Sequence, residues 1–340
     1  MPECADCGKN LNLWRRMRPY TCAECHKTPL CYRCCDNAAM TSAHAKDSDN
    51  FKVSAVCDSC FSRLSTIDMN EQVDIYGAEP GAGLSIVVVH GGGASRKLYE
   101  PLARHLAKKG YRVVLPDLPG HGSRLKEPLT LQNAIQTLAK DVKDYTAPYK
   151  GVKPVYIGGS LGGYVGMELM GKYPDLFSGA IIAAATQTVG AGASVKAKMA
   201  LGTMHYMKPL ISSVTMAQQM VKLASSHKTI DKELLKECSV DPGFFFQTTK
   251  QQVAVLRATN SVEAMKKFHG PVLYLQGGKD HHDMEQALLA VGNKSSRPAV
   301  ASYSFPDGDH FFSHDVRYVE EFYHRVDLFL EELLLAQMKR

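Results

Sequence analysis

The sequence lacks any long apolar run: no stretch reaches the roughly 18 consecutive apolar residues that a membrane-spanning helix needs. We expect no secretory signal peptide, because the sequence begins with Met1-Pro2-Glu3-Cys4. The formal net charge of +6 is spread over 340 residues, so the chain also lacks the sustained basic surface that nucleic-acid binding requires. We therefore expect a cytoplasmic protein, in a reducing compartment, that binds no nucleic acid.

Low-complexity tracts and internal repeats are also absent, apart from a cysteine pattern near the N-terminus. With 340 residues, of which 45% are hydrophobic, the chain can form one small and one large domain. The segment 65–83, which ends in Glu79-Pro80-Gly81-Ala82-Gly83, contains the boundary or the first strands of a sheet. We place the break near residue 68, which predicts a small domain over 1–67 and a larger one over 68–340.

Cysteine is concentrated at one end of the chain. Eight of the 10 cysteines form four Cys-x-x-Cys knuckles before residue 61. Paired thiolates at this spacing can hold one Zn²⁺ ion, and a segment this short has little apolar core of its own. A disulfide framework is the alternative, but such frameworks are typical of secreted domains. Because the sequence shows no signal peptide, we favour two structural zinc sites.

The knuckle segment resembles a FYVE-type zinc finger in Cys22-Ala23-Glu24-Cys25, in Cys31-Tyr32-Arg33-Cys34-Cys35 and in the closing Val56-Cys57-Asp58-Ser59-Cys60-Phe61. Such fingers are cross-braced. The resemblance implies one zinc ion held by Cys4, Cys7, Cys31 and Cys34, and a second held by Cys22, Cys25, Cys57 and Cys60. Cys35 is an alternative to Cys34, and Cys238 is interpreted as a packed small side chain.

The lipid-reading residues of FYVE fingers are poorly matched here. Members that hold phosphatidylinositol 3-phosphate carry an R-R/K-H-H-C-R run, where this chain has Arg18-Pro19-Tyr20-Thr21-Cys22-Ala23, and the arginine of their closing R-V-C is Ala55. We expect this lipid to bind weakly or not at all. The segment also contains a basic and aromatic patch, formed by Trp14, Arg15, Arg16 and Arg18. This patch either contacts anionic membranes or consists only of solvated charges. We therefore expect the finger to bind a protein partner, or to contact endosomal or other membranes peripherally.

A second motif, Gly158-Gly159-Ser160-Leu161-Gly162, lies between the apolar run Pro154-Val155-Tyr156-Ile157 and the helix-forming run 164–170. A serine flanked by glycines at a strand-to-helix turn is typical of a nucleophile elbow, because its backbone is strained and a neighbouring Cβ would collide with the strand or helix. We predict that Ser160 is a nucleophile; the alternative is an ordinary tight turn.

Two strand-and-glycine segments precede this motif. They are Ser85-Ile86-Val87-Val88-Val89-His90-Gly91-Gly92-Gly93 and Tyr111-Arg112-Val113-Val114-Leu115-Pro116-Asp117-Leu118-Pro119-Gly120-His121-Gly122. With the serine motif, they resemble the α/β-hydrolase family, in which an HG turn supplies one oxyanion donor and a D-x-x-G-H-G loop follows the next strand. The resemblance covers roughly residues 72–338 and favours monoacylglycerol-lipase-like and lysophospholipase-like members. It implies a mostly parallel sheet with flanking helices and a helical cap.

The family orders its triad as nucleophile, acid and histidine. Asp280 follows the apolar segment 271–277 and falls where the family carries its acid, with Asp283 as the alternative. His310 follows the strand predicted over Ala301 to Phe305, and His314 is the weaker candidate.

The resemblance implies that Ser160 attacks an acyl carbonyl, that His310 moves the proton and that Asp280 orients the imidazole. It also implies that the backbone N–H groups of Gly92 and Leu161 bind the oxyanion.

A long segment separates the strand predicted over Ala180 to Ala185 from the strand that starts at Val272, which is too long for an ordinary crossover. Helical periodicity predicts a mostly helical cap over about 186–268. Five methionines and a run of phenylalanines there suit an acyl-chain groove or ordinary helix packing: Met199, Met204, Met207, Met216, Met220 and Phe244-Phe245-Phe246. Apolar residues at helical spacing between Val316 and Met338 predict a closing helix against the sheet.

These patterns predict a serine hydrolase that cleaves a carboxylic ester, for instance of a monoacylglycerol or lysophospholipid, without an organic cofactor. Two alternatives stay open. A prolyl iminopeptidase-like peptidase shares the fold and triad, but such enzymes hold the substrate amine with cap carboxylates, and this cap has few acids. The second alternative is a non-catalytic interaction protein with a hydrolase fold, targeted by the finger. The intact triad argues against this alternative.

Overall fold

The structure is a computed structural model that describes residues 3–8, 11, 20–30, 34, 37–40, 53–64, 71–185, 249–280, 283–292 and 299–338. These residues contain a two-stranded sheet near the N-terminus and a seven-stranded sheet in the larger part of the chain. The proposed domain boundary near residue 68 lies outside the described residues. Within the described part of the chain, every helix is too short or too polar to span a bilayer.

The N-terminal unit has a very small core. Strand β1 (Asn37–Met40) pairs antiparallel with β2 (Val53–Val56), and helix α1 (Asp58–Leu64) follows. The described buried cluster of this unit consists mainly of cysteine side chains: Cys4, Leu11, Cys22, Leu30, Cys34, Val56, Cys57 and Cys60. Since only three of these eight residues are not cysteine, apolar burial contributes little to the stability of this unit.

The large sheet has the order β3-β5-β4-β6-β7-β8-β9. Its strands are β3 (Val73–Gly77), β4 (Ser85–Val89), β5 (Arg112–Pro116), β6 (Val155–Gly159), β7 (Gly179–Ala183), β8 (Val272–Gly277) and β9 (Val300–Phe305). Only β3, at the edge, is antiparallel to its neighbour, and all other described pairs are parallel. The predicted mostly parallel sheet is confirmed.

Helices cover both faces of this sheet. They are α2 (Glu100–Lys108), α3 (Leu131–Tyr145), α4 (Leu161–Lys172), α5 (Thr249–Ala258), α6 (Ser261–Met265), α7 (Asp283–Gly292) and α8 (Val319–Met338). On β4, Ile86 and Val88 enter the core shared with α2 and α8, whereas Val87 and Val89 enter the core shared with α3 and α4. Burial on both faces explains why the central strands are continuous β-branched runs.

The closing helix is confirmed, although it begins later than predicted. Its residues Phe322, Val326 and Leu330 are fully buried against the sheet. It starts at Val319 instead of Val316, because the backbone carbonyl of Asp315 accepts hydrogen bonds from the N–H groups of Tyr318 (2.8 Å) and Val319 (2.9 Å) in a preceding turn.

Strand β7 ends at Ala183, two residues before the predicted end, because Ala184 adopts a left-handed conformation with φ of 52°. Most of the predicted cap, residues 186–248, lies outside the described residues, including its methionines and phenylalanines. The described end of the predicted cap region is helical, as α5 and α6.

Candidate active site

The predicted elbow is a sharp turn between β6 and α4. Ser160 stands between Gly159, which ends the strand, and Leu161, which begins the helix, and it has φ of 49° and ψ of −115°. A non-glycine residue in this region carries about 1–3 kcal/mol of backbone strain, which such structures retain mainly at functional sites. The Ser160 N–H donates to the Ala183 carbonyl at 2.8 Å, which fixes the turn to the neighbouring strand.

The glycines of the motif allow backbone segments to pack closely around Ser160. A Cβ at Gly162 would stand 2.5 Å from the carbonyl oxygen of Val89, so the helix could not approach β4 with a larger residue there. A Cβ at Gly91 would stand 3.3 Å from the Ser160 Cβ. The glycine turn after β4 therefore packs directly against the serine.

Ser160, His310 and Asp280 form an unbroken hydrogen-bonded series. The His310 Nε2 lies 3.1 Å from the Ser160 Oγ, and the His310 Nδ1 lies 2.9 Å from an Asp280 carboxylate oxygen. Asp280 follows β8 and His310 follows β9, which are adjacent strands, and the Lys279 N–H donates to the Gly308 carbonyl at 2.9 Å between the two loops. This geometry suits a serine nucleophile, a general base and a carboxylate that orients the base.

The alternative histidine, His314, makes other contacts. His314 contacts the Ser313 hydroxyl at 2.9 Å through Nδ1 and the Leu98 carbonyl oxygen at 3.3 Å through Nε2. Asp283 is the first residue of α7, whereas Asp280 is the acid in contact with the His310 imidazole.

The two predicted oxyanion donors are backbone groups beside the serine. Leu161 is the first residue of α4, so its N–H has no acceptor within the helix. Gly92 follows the glycine that packs against Ser160. Among the described residues, neither N–H donates a hydrogen bond, and both are therefore available to a ligand.

Two buried histidines hold the glycine turn in place, a role that the sequence analysis missed. The His90 Nε2 accepts the Leu118 N–H at 3.0 Å, and the His90 Nδ1 lies 2.8 Å from the Gly91 carbonyl oxygen. The His121 Nε2 accepts the Gly93 N–H at 3.4 Å. The turn after β4 is thus tied to the loop after β5.

His90 must be neutral to accept the Leu118 N–H. Burial, with a further contribution from the neighbouring His121, lowers the pKa of His90 from 6.5 to about 3. The close approach of His90 to Asp117, 3.8 Å between Nε2 and a carboxylate oxygen, is therefore not an ion pair at neutral pH. Both histidines belong to motifs that the sequence analysis names, His90 to the HG turn and His121 to the GHG loop. These motifs are the sequence signal from which their role could have been predicted.

A buried ion pair lies beneath these loops. Arg96 is 1% exposed, and its guanidinium contacts Asp117. The Arg96 Nε lies 2.9 Å from a carboxylate oxygen of Asp74. Asp117 also accepts the backbone N–H groups of Arg96 at 2.8 Å and of Ser123 at 2.9 Å. A Cβ at Gly122, which has φ of 49°, would collide with the Asp117 carboxylate. Asp117 thus organises the loop that supports the glycine turn.

The cysteines of the N-terminal unit meet in two groups. The sulfur atoms of Cys22, Cys25, Cys57 and Cys60 all lie within 4.8 Å of one another, as do those of Cys4, Cys7 and Cys34. These are the groups that cross-bracing implies. Cys31 and Cys35 lie outside the described residues, as do Cys238 and the patch of Trp14, Arg15, Arg16 and Arg18.

Contacts within the four-cysteine group suit thiolate ligands. The Cys22 Sγ accepts the backbone N–H groups of Cys57 at 3.3 Å and Cys25 at 3.5 Å. The sulfur atoms of Cys25 and Cys57 are 3.7 Å apart. A tetrahedral zinc ion with Zn–S bonds of about 2.3 Å separates its sulfur ligands by about 3.8 Å, whereas a disulfide bond measures about 2.05 Å.

A sequence profile of the alpha/beta hydrolase fold family matches residues 85–315, more than half of the chain. The chain therefore belongs to the alpha/beta hydrolase fold family.

Among curated proteins, mouse protein ABHD8 is 32% identical over 98 residues, which are 28% of this chain and 22% of that protein. An AB hydrolase superfamily protein of Gibberella zeae is 28% identical over 109 residues, which are 32% of this chain and 38% of that protein. The matched regions thus span well under half of either relative.

Solved structures share the fold at low sequence identity. The monoacylglycerol lipase of Paleococcus ferrophilus has a TM-score of 0.58 and 19% identity, over 77% of this chain and 98% of that chain. A thermophilic esterase of Thermogutta terrifontis has a TM-score of 0.56 and 18% identity, over 77% of this chain and 93% of that chain. At these identities the likeness shows a shared fold, in agreement with the family match.

Proposed function

We propose that the protein is a serine hydrolase that cleaves the carboxylic ester of a lipid such as a monoacylglycerol or a lysophospholipid. The observation that carries this proposal is the hydrogen-bonded series from Asp280 through His310 to Ser160, with the serine on a strained turn. Esters of this class fit the lipase and esterase folds among the structural neighbours, and the chain order of the three residues is that of the family.

The chemistry proceeds in two acyl-transfer steps. The Ser160 Oγ attacks the ester carbonyl as the His310 Nε2 takes its proton, and the imidazolium is stabilised by the Asp280 carboxylate. The carbonyl oxygen becomes an oxyanion that accepts hydrogen bonds from the N–H groups of Gly92 and Leu161, each of which typically lowers the barrier by about 3 kcal/mol. His310 then protonates the leaving alcohol, and an acyl-serine remains. In the second step His310 takes a proton from water, which attacks the acyl-serine carbonyl. His310 then returns this proton to the Ser160 Oγ as the bond between serine and acyl group breaks, and the carboxylic acid is released.

Active-site labelling followed by a substrate screen tests this proposal. A fluorophosphonate should form an adduct on Ser160, identified by peptide mass spectrometry, and Ser160→Ala should form none. Unlabelled protein is then assayed on monoacylglycerols, lysophospholipids and proline-amide peptides, with Ser160→Ala as the control. Cleavage of the peptides in preference to the esters would favour the prolyl iminopeptidase-like alternative, and the absence of both adduct and turnover would favour the non-catalytic scaffold.

We further propose that residues 1–67 form a FYVE-like finger that binds two structural zinc ions. The support is the grouping of seven described cysteines into the two predicted sets and the sulfur spacing that suits tetrahedral coordination. Because the described core of this unit is mostly cysteine, zinc binding would supply folding energy that apolar burial does not. Elemental analysis of the purified chain should give about two zinc ions per molecule.

We propose a cytoplasmic location in which the finger contacts a protein partner or, peripherally, an endosomal or other membrane. Phosphatidylinositol 3-phosphate is not the favoured ligand, since Ala55 on β2 stands where the lipid-binding fingers carry arginine.

A further inference from the structure

Helix α5 places a glutamine against the glycine turn of the candidate active site. The Gln252 carboxamide fills the space that a Gly92 side chain would need: its Nε2 lies nearest to the position of a Gly92 Cβ, its Cδ 3.0 Å away and its Oε1 3.4 Å away. The amide nitrogen is therefore the end of the side chain that faces Gly92. Any residue larger than glycine at position 92 would displace this amide.

The Gln252 amide nitrogen is buried, and within the described part of the chain it has no hydrogen-bond partner. A buried N–H group without an acceptor is destabilising, so such a group in a folded protein requires an explanation. Here the group lies beside Gly92, the residue whose backbone N–H is proposed to bind the oxyanion. An acceptor that is present only during the reaction would explain why the resting structure leaves this donor unpaired.

We propose that Gln252 is a catalytic residue that donates a third hydrogen bond, from its Nε2, to the oxyanion of the tetrahedral intermediate. This inference rests on the proposed esterase function, in which the Gly92 and Leu161 N–H groups are the other two donors. Gln252 supplies its donor from α5, which lies in the predicted cap region. The ligand class is an ester whose carbonyl oxygen becomes negatively charged on attack by Ser160.

The packing of α5 supports a fixed position for this side chain. Val253 and Val255, on the same helix, are 3% and 1% exposed. The neighbouring Gln251 places its Oε1 3.8 Å from where a Cβ of Gly120, in the loop after β5, would stand. Gln251 is therefore a matched control, since the same substitution can be made one residue away on the same helix.

The test compares Gln252→Met with Gln251→Met in hydrolysis of p-nitrophenyl butyrate and in inhibition by an alkyl trifluoromethyl ketone. Methionine keeps the length of glutamine and removes the donor. The Ser160 Oγ adds to the ketone carbonyl and forms a tetrahedral oxyanion, so inhibition by the ketone reports directly on oxyanion binding. Circular dichroism and fluorophosphonate labelling check that each variant is folded and that Ser160 remains reactive.

Gln252→Met should lower kcat about 10- to 100-fold, with KM changed less than about twofold, and should weaken ketone inhibition by a similar factor. Gln252→Glu, which replaces the donor by a carboxylate, should lower kcat at least as much. Gln251→Met should stay within about twofold of the unmodified protein in kcat.

Unchanged kcat in Gln252→Met, a raised KM with unchanged kcat, or unchanged ketone inhibition would each overturn the inference. If Ser160→Ala is inactive while Gln252→Met is fully active, the inference alone fails. If Ser160→Ala hydrolyses the ester as well as the unmodified protein, the proposed function fails and the inference fails with it.

Discussion

The buried His90 makes a specific contribution to the pH dependence of stability. Its pKa is lowered by burial from 6.5 to about 3, so the folded protein binds this proton less readily than the unfolded chain does. Below pH 6.5 the unfolded chain takes up a proton that the folded state excludes, and stability falls as the pH falls. From pH 7.5 to pH 5, about 1.5 pH units below the unfolded pKa, the loss is about 2 kcal/mol at 1.36 kcal/mol per unit.

The variant His90→Gln isolates this contribution, because glutamine can accept the Leu118 N–H and does not titrate. Urea unfolding of both proteins, followed by far-ultraviolet circular dichroism at pH 7.5 and pH 5, gives the free energy of unfolding at each pH. Other titrating groups, including the clustered cysteines, are common to both proteins and cancel in the comparison. We expect the variant to lose about 2 kcal/mol less than the unmodified protein between the two pH values. Equal losses in the two proteins would refute a neutral, desolvated His90.

Further outcomes test the remaining assignments. Ser160→Ala should lower turnover by about 10⁶ without changing the melting temperature, and a mutant that still hydrolyses the ester would contradict the nucleophile. Asp280→Asn should lower kcat far more than Asp283→Asn, because asparagine at the imidazole disfavours the required tautomer; the reverse order would move the acid to Asp283. In liposome flotation, binding should be non-selective among anionic lipids and should weaken as salt rises; salt-resistant selection of phosphatidylinositol 3-phosphate would contradict the weak match of the lipid-reading run.

The parts of the fold that the sequence predicts well are those with a local cause. Continuous β-branched runs predict the buried strands, and the glycines around Ser160 predict the strained turn, since both patterns arise from neighbours in the chain. The later start of α8 depends on a local turn at Asp315 that apolar spacing does not reveal. Boundaries are thus less predictable than the elements themselves.

Contacts between distant segments were not predictable in the same way. Gln252 and Gly92 are distant in the sequence, and neither the residue type of Gln252 nor the helix that carries it belongs to a motif. Arg96 and Asp117 likewise form their buried pair only once β4 and β5 lie side by side. The triad could be predicted from the sequence because the family resemblance, and not periodicity, indicated that Asp280 pairs with His310.

The two units differ in what stabilises them, and this difference predicts how they respond to metal removal. The hydrolase unit has two large apolar clusters, whereas the described core of the finger is mostly cysteine. A contact between the units is made by Leu125, which packs against the cysteine cluster beside Arg124. Arg124 is itself held within the hydrolase unit, by hydrogen bonds of 2.6 and 2.8 Å to the Asp141 carboxylate.

Among the described residues, loss of the finger should therefore remove the Leu125 contact and leave the loops around the active site in place. Chelation should release about two zinc ions and unfold residues 1–67, while hydrolysis of a soluble ester continues at nearly the same rate. Zinc release is measured with a colorimetric indicator in the same sample as ester turnover, and Leu125→Ala controls for loss of the contact alone. If turnover falls in step with zinc release and Leu125→Ala reproduces the fall, the finger supports the active site through this contact, and the two units are not independent.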